Sequence, residues 1–207
     1  MGEITWRDVS VAWAHPSRLQ GFTADDLVAM GQAQVDRFHQ LSGGRAQGFL
    51  AGRALIRDRV RRLTGLDEVV LDSRCDRCGA AHGRPTTAGV SMSVSHSDDL
   101  VVVAVRPGRE PVGVDVEALA SSARVDEVAA LFANGLAPDL AGWTRIEAAL
   151  KADGRGFAVD PDAVVLHPPS PDPPPRVWSA VLPGRASTID VVTLAGPPGH
   201  VLSVAIG

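Results

Sequence analysis

Residues 112–117 read VGVDVE and residues 143–156 read WTRIEAALKADGRG. The first stretch alternates, which is the two-residue period of a strand. Residues two apart on a strand share a face, so Asp115 and Glu117 point the same way while Val114 and Val116 point into a core. Residues 143–153 have the spacing of a helix that stops near Gly154. Glu147 and Lys151 lie four apart and so stack on one helix face. Taken singly, each stretch has a plain structural reading. The first fits a half-exposed edge strand with a polar outer face, and the second fits a surface ion pair worth about 0.3–0.5 kcal/mol.

Working outward, the spacing of Phe49, Leu50, Ala54, Ile56 and Val60 predicts a helix over residues 45–63, with Gly65 as its stop. Residues 69–71 read as a short strand. Residues 91–105 read as two strands around a turn at 97–99, and three late strands are predicted over 176–182, 187–194 and 200–206. The ending GHVLSVAIG echoes DLVVVAVRPG in the first half. Each half offers a helix followed by a strand pair closed by an apolar strand. The expected fold is α+β, with two similar halves, 1–111 and 112–207, related by a pseudo-twofold and an active site at their interface. The run PPSPDPPP at 168–175 reads as an extended, solvent-facing loop.

Hydrophobic residues make up 45% of the 207-residue chain and charged residues 21%, enough for a real core. The net charge of −4 argues against general nucleic-acid affinity, so any phosphate site must be a local cluster of Arg, Lys and His. The opening MGEITWRDVS carries Glu3, Arg7 and Asp8 and has no apolar h-region. No uncharged apolar run approaches the ~20 residues of a membrane span. The expectation is a cytoplasmic protein that binds no nucleic acid and no membrane.

Two carboxylates side by side repel unless a cation sits between them, and a hard cation such as Mg²⁺ meets that need. Glu147 would add a third carboxylate, with Lys151 one turn on to reach a phosphate oxygen. The stretch SVSHSDDL surrounds His96 with Ser93, Ser95 and Ser97, groups suited to phosphate oxygens, although a hydrogen-bonded hairpin turn explains them equally well. In HGRP, Arg84 stands against Pro85, whose fixed φ would hold the loop rigid. Cys75, Cys78 and His82 offer three zinc ligands within eight residues, but a tetrahedral site needs a fourth. None is adjacent; only a distant histidine such as His15, His39 or His167 could supply it. The stretch therefore reads as a tight turn ending in Gly79.

The ordered set HGRP, SVSHS, VGVDVE and WTRIEAALKADGRG resembles the 4′-phosphopantetheinyl transferase superfamily, in particular the surfactin-synthetase type with two fused pseudo-repeats. Residues 45–157 carry the likeness. The resemblance implies Mg²⁺ held by Asp115, Glu117 and Glu147 against the pyrophosphate of coenzyme A, with Lys151 on that pyrophosphate. It implies Ser95 and His96 on coenzyme A phosphates, His96 at the 3′-phosphate, and Arg84 beside the adenosine, with Arg45 and Arg53 as further candidates for the 3′-phosphate. Glu147 would accept the proton of a serine on an apo-acyl or apo-peptidyl carrier protein. Fused halves would let a monomer complete the site. The sequence departs from the family pattern at three places. Ile146 stands where a lysine is usual, segment 118–142 is short, and Gly48 stands where an arginine is common. Two other classes fit fewer of these features: a coenzyme A-binding homologue with little or no transferase activity, and a small zinc-containing interaction module.

Overall fold

Strand alternation at the very start of the chain, not read from the sequence, begins the first sheet. A computed structural model describes residues 1–19, 21–75, 78–97, 100–120, 128–132, 137–169 and 176–207. Strands β1 (Gly2–Trp6) and β2 (Val9–Ala14) form a hairpin whose two-residue turn puts Arg7 at φ 53°. Short helices α1 (Asp26–Ala29) and α2 (Gln32–His39) precede the long helix α3 (Gly43–Thr64). Strands β3 (Val90–Ser97) and β4 (Leu100–Pro107) complete an antiparallel sheet of order β1-β2-β4-β3. Helix α3 ends where Gly65 takes φ 72° and donates its N–H to the Arg61 carbonyl, the left-handed cap expected of a glycine stop.

The buried face of α3 differs from the one the sequence suggested. It runs through Gly48, Ala51, Gly52, Leu55, Ile56, Arg59 and Val60, whereas Phe49, Leu50 and Ala54 are half-buried. Glycines and arginines carry no hydrophobic signal, so the true face was hidden. Leu55, Ile56 and Val60 pack on Val101, Val103 and Val105 of β4. Residues 69–71 do not form a strand. Their backbone instead leads into a single bridge, Asp72 to Thr86.

The second unit opens with β5 (Val112–Ala118), buried along its whole length. Helix α4 (Leu140–Asp153) follows. Its first turn is capped by the Asp139 carboxylate accepting from Gly142 N at 2.6 Å, and its end by Gly154 at φ 86°. Then come β6 (Val165–His167), β7 (Val177–Val181), β8 (Ile189–Leu194) and β9 (His200–Ile206), in an antiparallel sheet of order β5-β9-β8-β7-β6. Helix α4 lies on β5, β9 and β8. The proline-rich run falls largely on 170–175, outside the described residues, as does the turn at 98–99.

The chain divides into two compact units, Met1–Arg109 and Glu110–Gly207. The division falls two residues ahead of the sequence boundary because Pro111 already belongs to the second unit, its carbonyl accepting from Gly207 N at 3.3 Å. The protein is thus mixed α and β, with two sheets and four helices among the described residues. One connectivity recurs. In each unit the strand before the long helix pairs with the unit's last strand, which pairs in turn with the strand preceding it. No helix among the described residues is long and apolar enough to cross a membrane.

Candidate functional site

In the second unit, cross-strand register arranges the helix-facing side of the sheet in rows. Gly113 stands opposite Ala205, and Ala205 opposite Val191; Asp115 stands opposite Ser203, and Ser203 opposite Thr193. The first row is small because α4 presses on it. A Cβ on Gly113 would meet the backbone carbonyl of Ala148 and lie 2.6 Å from the amide nitrogen of Ala152. The glycine of VGVDVE is therefore what lets the helix approach the strand.

The second row is polar. Thr144 Oγ1 lies 2.8 Å from Ser203 Oγ, which lies 3.0 Å from Thr193 Oγ1, which accepts from Arg145 Nε at 2.9 Å. The Arg145 guanidinium stacks 4.4 Å from the Trp178 ring centroid, and its burial lowers its pKa. At the other end of this row, Lys151 Nζ donates to Asp115 Oδ1 at 2.7 Å. Asp115, Glu117 and Glu147 are all buried, at 4%, 6% and 8% exposure, on two elements packed together. Three carboxylates offer oxygen donors only, the ligand type that a hard cation such as Mg²⁺ takes. The structure brings Asp115 and Lys151 together across the β5–α4 contact; Glu117 lies two residues on from Asp115 along β5, and Glu147 one turn before Lys151 on α4. Ile146 is buried in the core beneath α4, a place for an apolar side chain and not for a lysine.

In the first unit, a cavity of about 460 Å³ opens between the start of α3 and the β3–β4 hairpin. Arg37 and Arg45 give it cationic groups and His96 an imidazole, and Pro16, Phe49 and Val101 give it apolar wall. Gly48 lies in this wall, where a Cβ would meet His96 Cδ2 at 3.4 Å. A larger residue at 48 would crowd the imidazole, and Arg37 and Arg45 supply positive charge from the neighbouring turns. Arg37 was not among the sequence candidates; it stands on α2, a helix of eight residues that was not read from the sequence.

The remaining candidates lie apart from this cavity lining. Ser95 alternates with His96 along β3 and is buried on the opposite face, with Ser93 and Ser97. Arg53 is buried at 8% exposure, donates Nε to Gln34 Oε1 at 2.6 Å, and stacks 4.2 Å from the Phe49 ring centroid. Burial, then the nearby Arg37 charge, lower its pKa to about 10. It fixes the wall behind the cavity. Arg84 donates Nε to the Met92 carbonyl at 2.8 Å, tying the HGRP segment to β3.

The CDRCG stretch makes the expected turn. Gly79 takes φ 72° and donates to the Cys75 carbonyl at 2.8 Å. The same turn gathers Cys75, Cys78 and His82 so that their ligand atoms lie within 4.8 Å of one another. His15, His39 and His167 are not part of that group.

No protein-family model matches this chain, and no curated protein sequence matches it.

Proposed function

We propose that the protein is a Mg²⁺-dependent 4′-phosphopantetheinyl transferase, moving the phosphopantetheine arm of coenzyme A onto a serine of an apo-acyl or apo-peptidyl carrier protein and releasing 3′,5′-ADP. The observation that carries this reading is the Lys151–Asp115 contact at 2.7 Å, which joins the two most specific motifs across β5 and α4. The Arg37, Arg45 and His96 cavity supports it, because three cationic or protonatable groups around an apolar wall suit a nucleotide phosphate and its base.

In this reading Asp115, Glu117 and Glu147 hold Mg²⁺, which supplies neutralising charge to the pyrophosphate oxygens when bound. Lys151 leaves Asp115 for a phosphate oxygen and offsets charge that develops there in the transition state. Glu147 takes the proton of the carrier serine, directly or through one water, as that oxygen attacks the pantetheine-linked β-phosphorus. The bond to the bridging oxygen breaks and 3′,5′-ADP departs with it. The protein's work is positioning and charge neutralisation, as is usual for phosphoryl-type transfer. The reading treats the two units as fused duplicates related by a pseudo-twofold, each supplying part of the machinery of a cytoplasmic monomer.

The test is release of 3′,5′-ADP from coenzyme A, followed by chromatography, with and without an apo-carrier. Release that needs both carrier and Mg²⁺, and is lost in Glu147→Gln, is expected. Carrier-independent release, or release unchanged in Glu147→Gln, would exclude the assignment.

A further inference from the structure

We propose that Cys75, Cys78 and His82 bind a zinc ion that staples the loop between Asp72 and Thr86. This assignment does not rest on the transferase reading. The two Sγ atoms and one imidazole nitrogen lie within 4.8 Å of one another, and Cys78 Sγ sits 3.0 Å from His82 Nε2. Tetrahedral zinc, with bonds of about 2.3 Å to sulfur and 2.0–2.1 Å to nitrogen, sets its ligand atoms roughly 3.5–3.8 Å apart. The spacings here, 3.0 Å for the Cys78–His82 pair and within 4.8 Å for the rest, bracket that value.

The backbone is already folded for this. Cys75 N donates to the Ala80 carbonyl and Gly79 N to the Cys75 carbonyl, both at 2.8 Å, so the chain reverses between the two cysteines and His82. Behind the ligands the two arms of the loop touch: Gly83 N donates to the Ser73 carbonyl at 2.8 Å, and a Cβ on Gly83 would lie 2.5 Å from the Arg74 carbonyl oxygen. The stem closes with the reciprocal Asp72–Thr86 backbone bonds at 2.9 and 2.7 Å.

Apolar burial cannot hold this loop, because residues 72–86, DSRCDRCGAAHGRPT, contain no large aliphatic or aromatic side chain. A metal supplies what the missing core does not. A Cys75–Cys78 disulfide would leave the approach of His82 without a purpose. Two thiolates and a neutral imidazole form a soft S₂N set that suits zinc, with the fourth position left to water. Binding displaces two thiol protons and leaves the site neutral. The loop runs directly into Arg84, and its Ser73 Oγ accepts from Gln34 Nε2 at 3.0 Å, the same Gln34 that holds Arg53. The staple therefore fixes where Arg84 stands.

The experiment uses the full chain purified in reducing buffer without chelator. Elemental analysis should find one zinc per chain. Cobalt titrated into the stripped protein should give a thiolate-to-cobalt charge-transfer absorption that saturates at one equivalent. Cys78→Ser should cut the intensity of that band to about half at saturating cobalt, leaving the Cys75 thiolate alone, and both Cys78→Ser and His82→Asn should weaken zinc at least ~100-fold, since even outer-shell losses cost 10–100-fold. His82 is exposed, so His82→Asn keeps the test open if a cysteine variant fails to fold. Amide exchange over 72–86 should rise on stripping the wild type. Metal-free protein with no cobalt charge-transfer band would overturn the proposal. So would a mass two units low, marking a Cys75–Cys78 disulfide, or unchanged affinity in His82→Asn.

Discussion

Replacing Gly113 by alanine probes the contact on which the second unit depends. The added methyl would meet the Ala148 carbonyl and sit 2.6 Å from Ala152 N, both backbone atoms of α4 that cannot rotate away. Overpacking ordinarily costs about 1–3 kcal/mol, and a clash with rigid backbone belongs at the top of that range. Loss of glycine's unfolded-state freedom returns about 0.4–1 kcal/mol. The net cost should be about 2–2.5 kcal/mol. With a urea slope near 2 kcal/mol/M, the midpoint should fall by about 1–1.2 M. Gly154→Ala is the control. It asks alanine to adopt a left-handed conformation, at φ 86°, which Gly113 does not, but nothing outside its own helix and chain neighbours lies within 4 Å of its Cβ. That variant should cost about 1 kcal/mol. A Gly113→Ala midpoint equal to the wild type, or no lower than that of Gly154→Ala, would refute the close strand–helix approach.

Asp115→Ala and Glu147→Ala should each lower transfer to near background while leaving the circular dichroism spectrum intact, because a small oxygen-liganded site tolerates ligand loss poorly. His96→Ala, Arg37→Ala and Arg45→Ala should each raise the KM for coenzyme A about tenfold, as loss of a charge-assisted bond implies; with dephospho-coenzyme A, which lacks the 3′-phosphate, the His96→Ala effect should shrink. Arg53→Ala should instead destabilise the first unit by roughly 2–3 kcal/mol, seen as a lower urea midpoint, because it leaves the wholly buried Gln34 carbonyl oxygen without its donor. Asp26 is held below the ordinary carboxylate range by the Thr23 backbone amide first and by Arg57 second. Its contribution is present above the unfolded carboxylate pKa of about 3.9 and is lost as pH falls through the lower folded value; acid titrations of stability should therefore be shallower in Asp26→Asn.

The elements with a clean period were legible. The helix around Lys151, the strand carrying Asp115, the β3–β4 hairpin and the late strands all stand close to where hydrophobic spacing put them. Glycine stops at 65 and 154 were legible because only the left-handed cap explains them. The first hairpin went unread although Glu3, Ile4, Thr5 and Trp6 alternate polar with apolar, because the run is only five residues long. Side-chain direction was less accessible than element type. The motif SVSHS suggested serines and histidine acting together, but strand alternation separates Ser95 from His96. Arg53 carried the charge of a ligand and the position of a core residue; only its pairing with Gln34, nineteen positions earlier, tells the two apart. The cysteine turn was legible as a turn, but the closeness of His82 to Cys78 depends on backbone bonds across the loop that spacing does not encode.

The central claim is tested most directly by intact-mass spectrometry of several apo-carrier proteins, of fatty-acid, polyketide and nonribosomal-peptide origin, each incubated with the chain, coenzyme A and Mg²⁺. The account predicts a mass gain of one phosphopantetheine on at least one carrier, on its serine, abolished by chelation and by Glu147→Ala. No gain on any carrier, from protein shown to be folded, would contradict it.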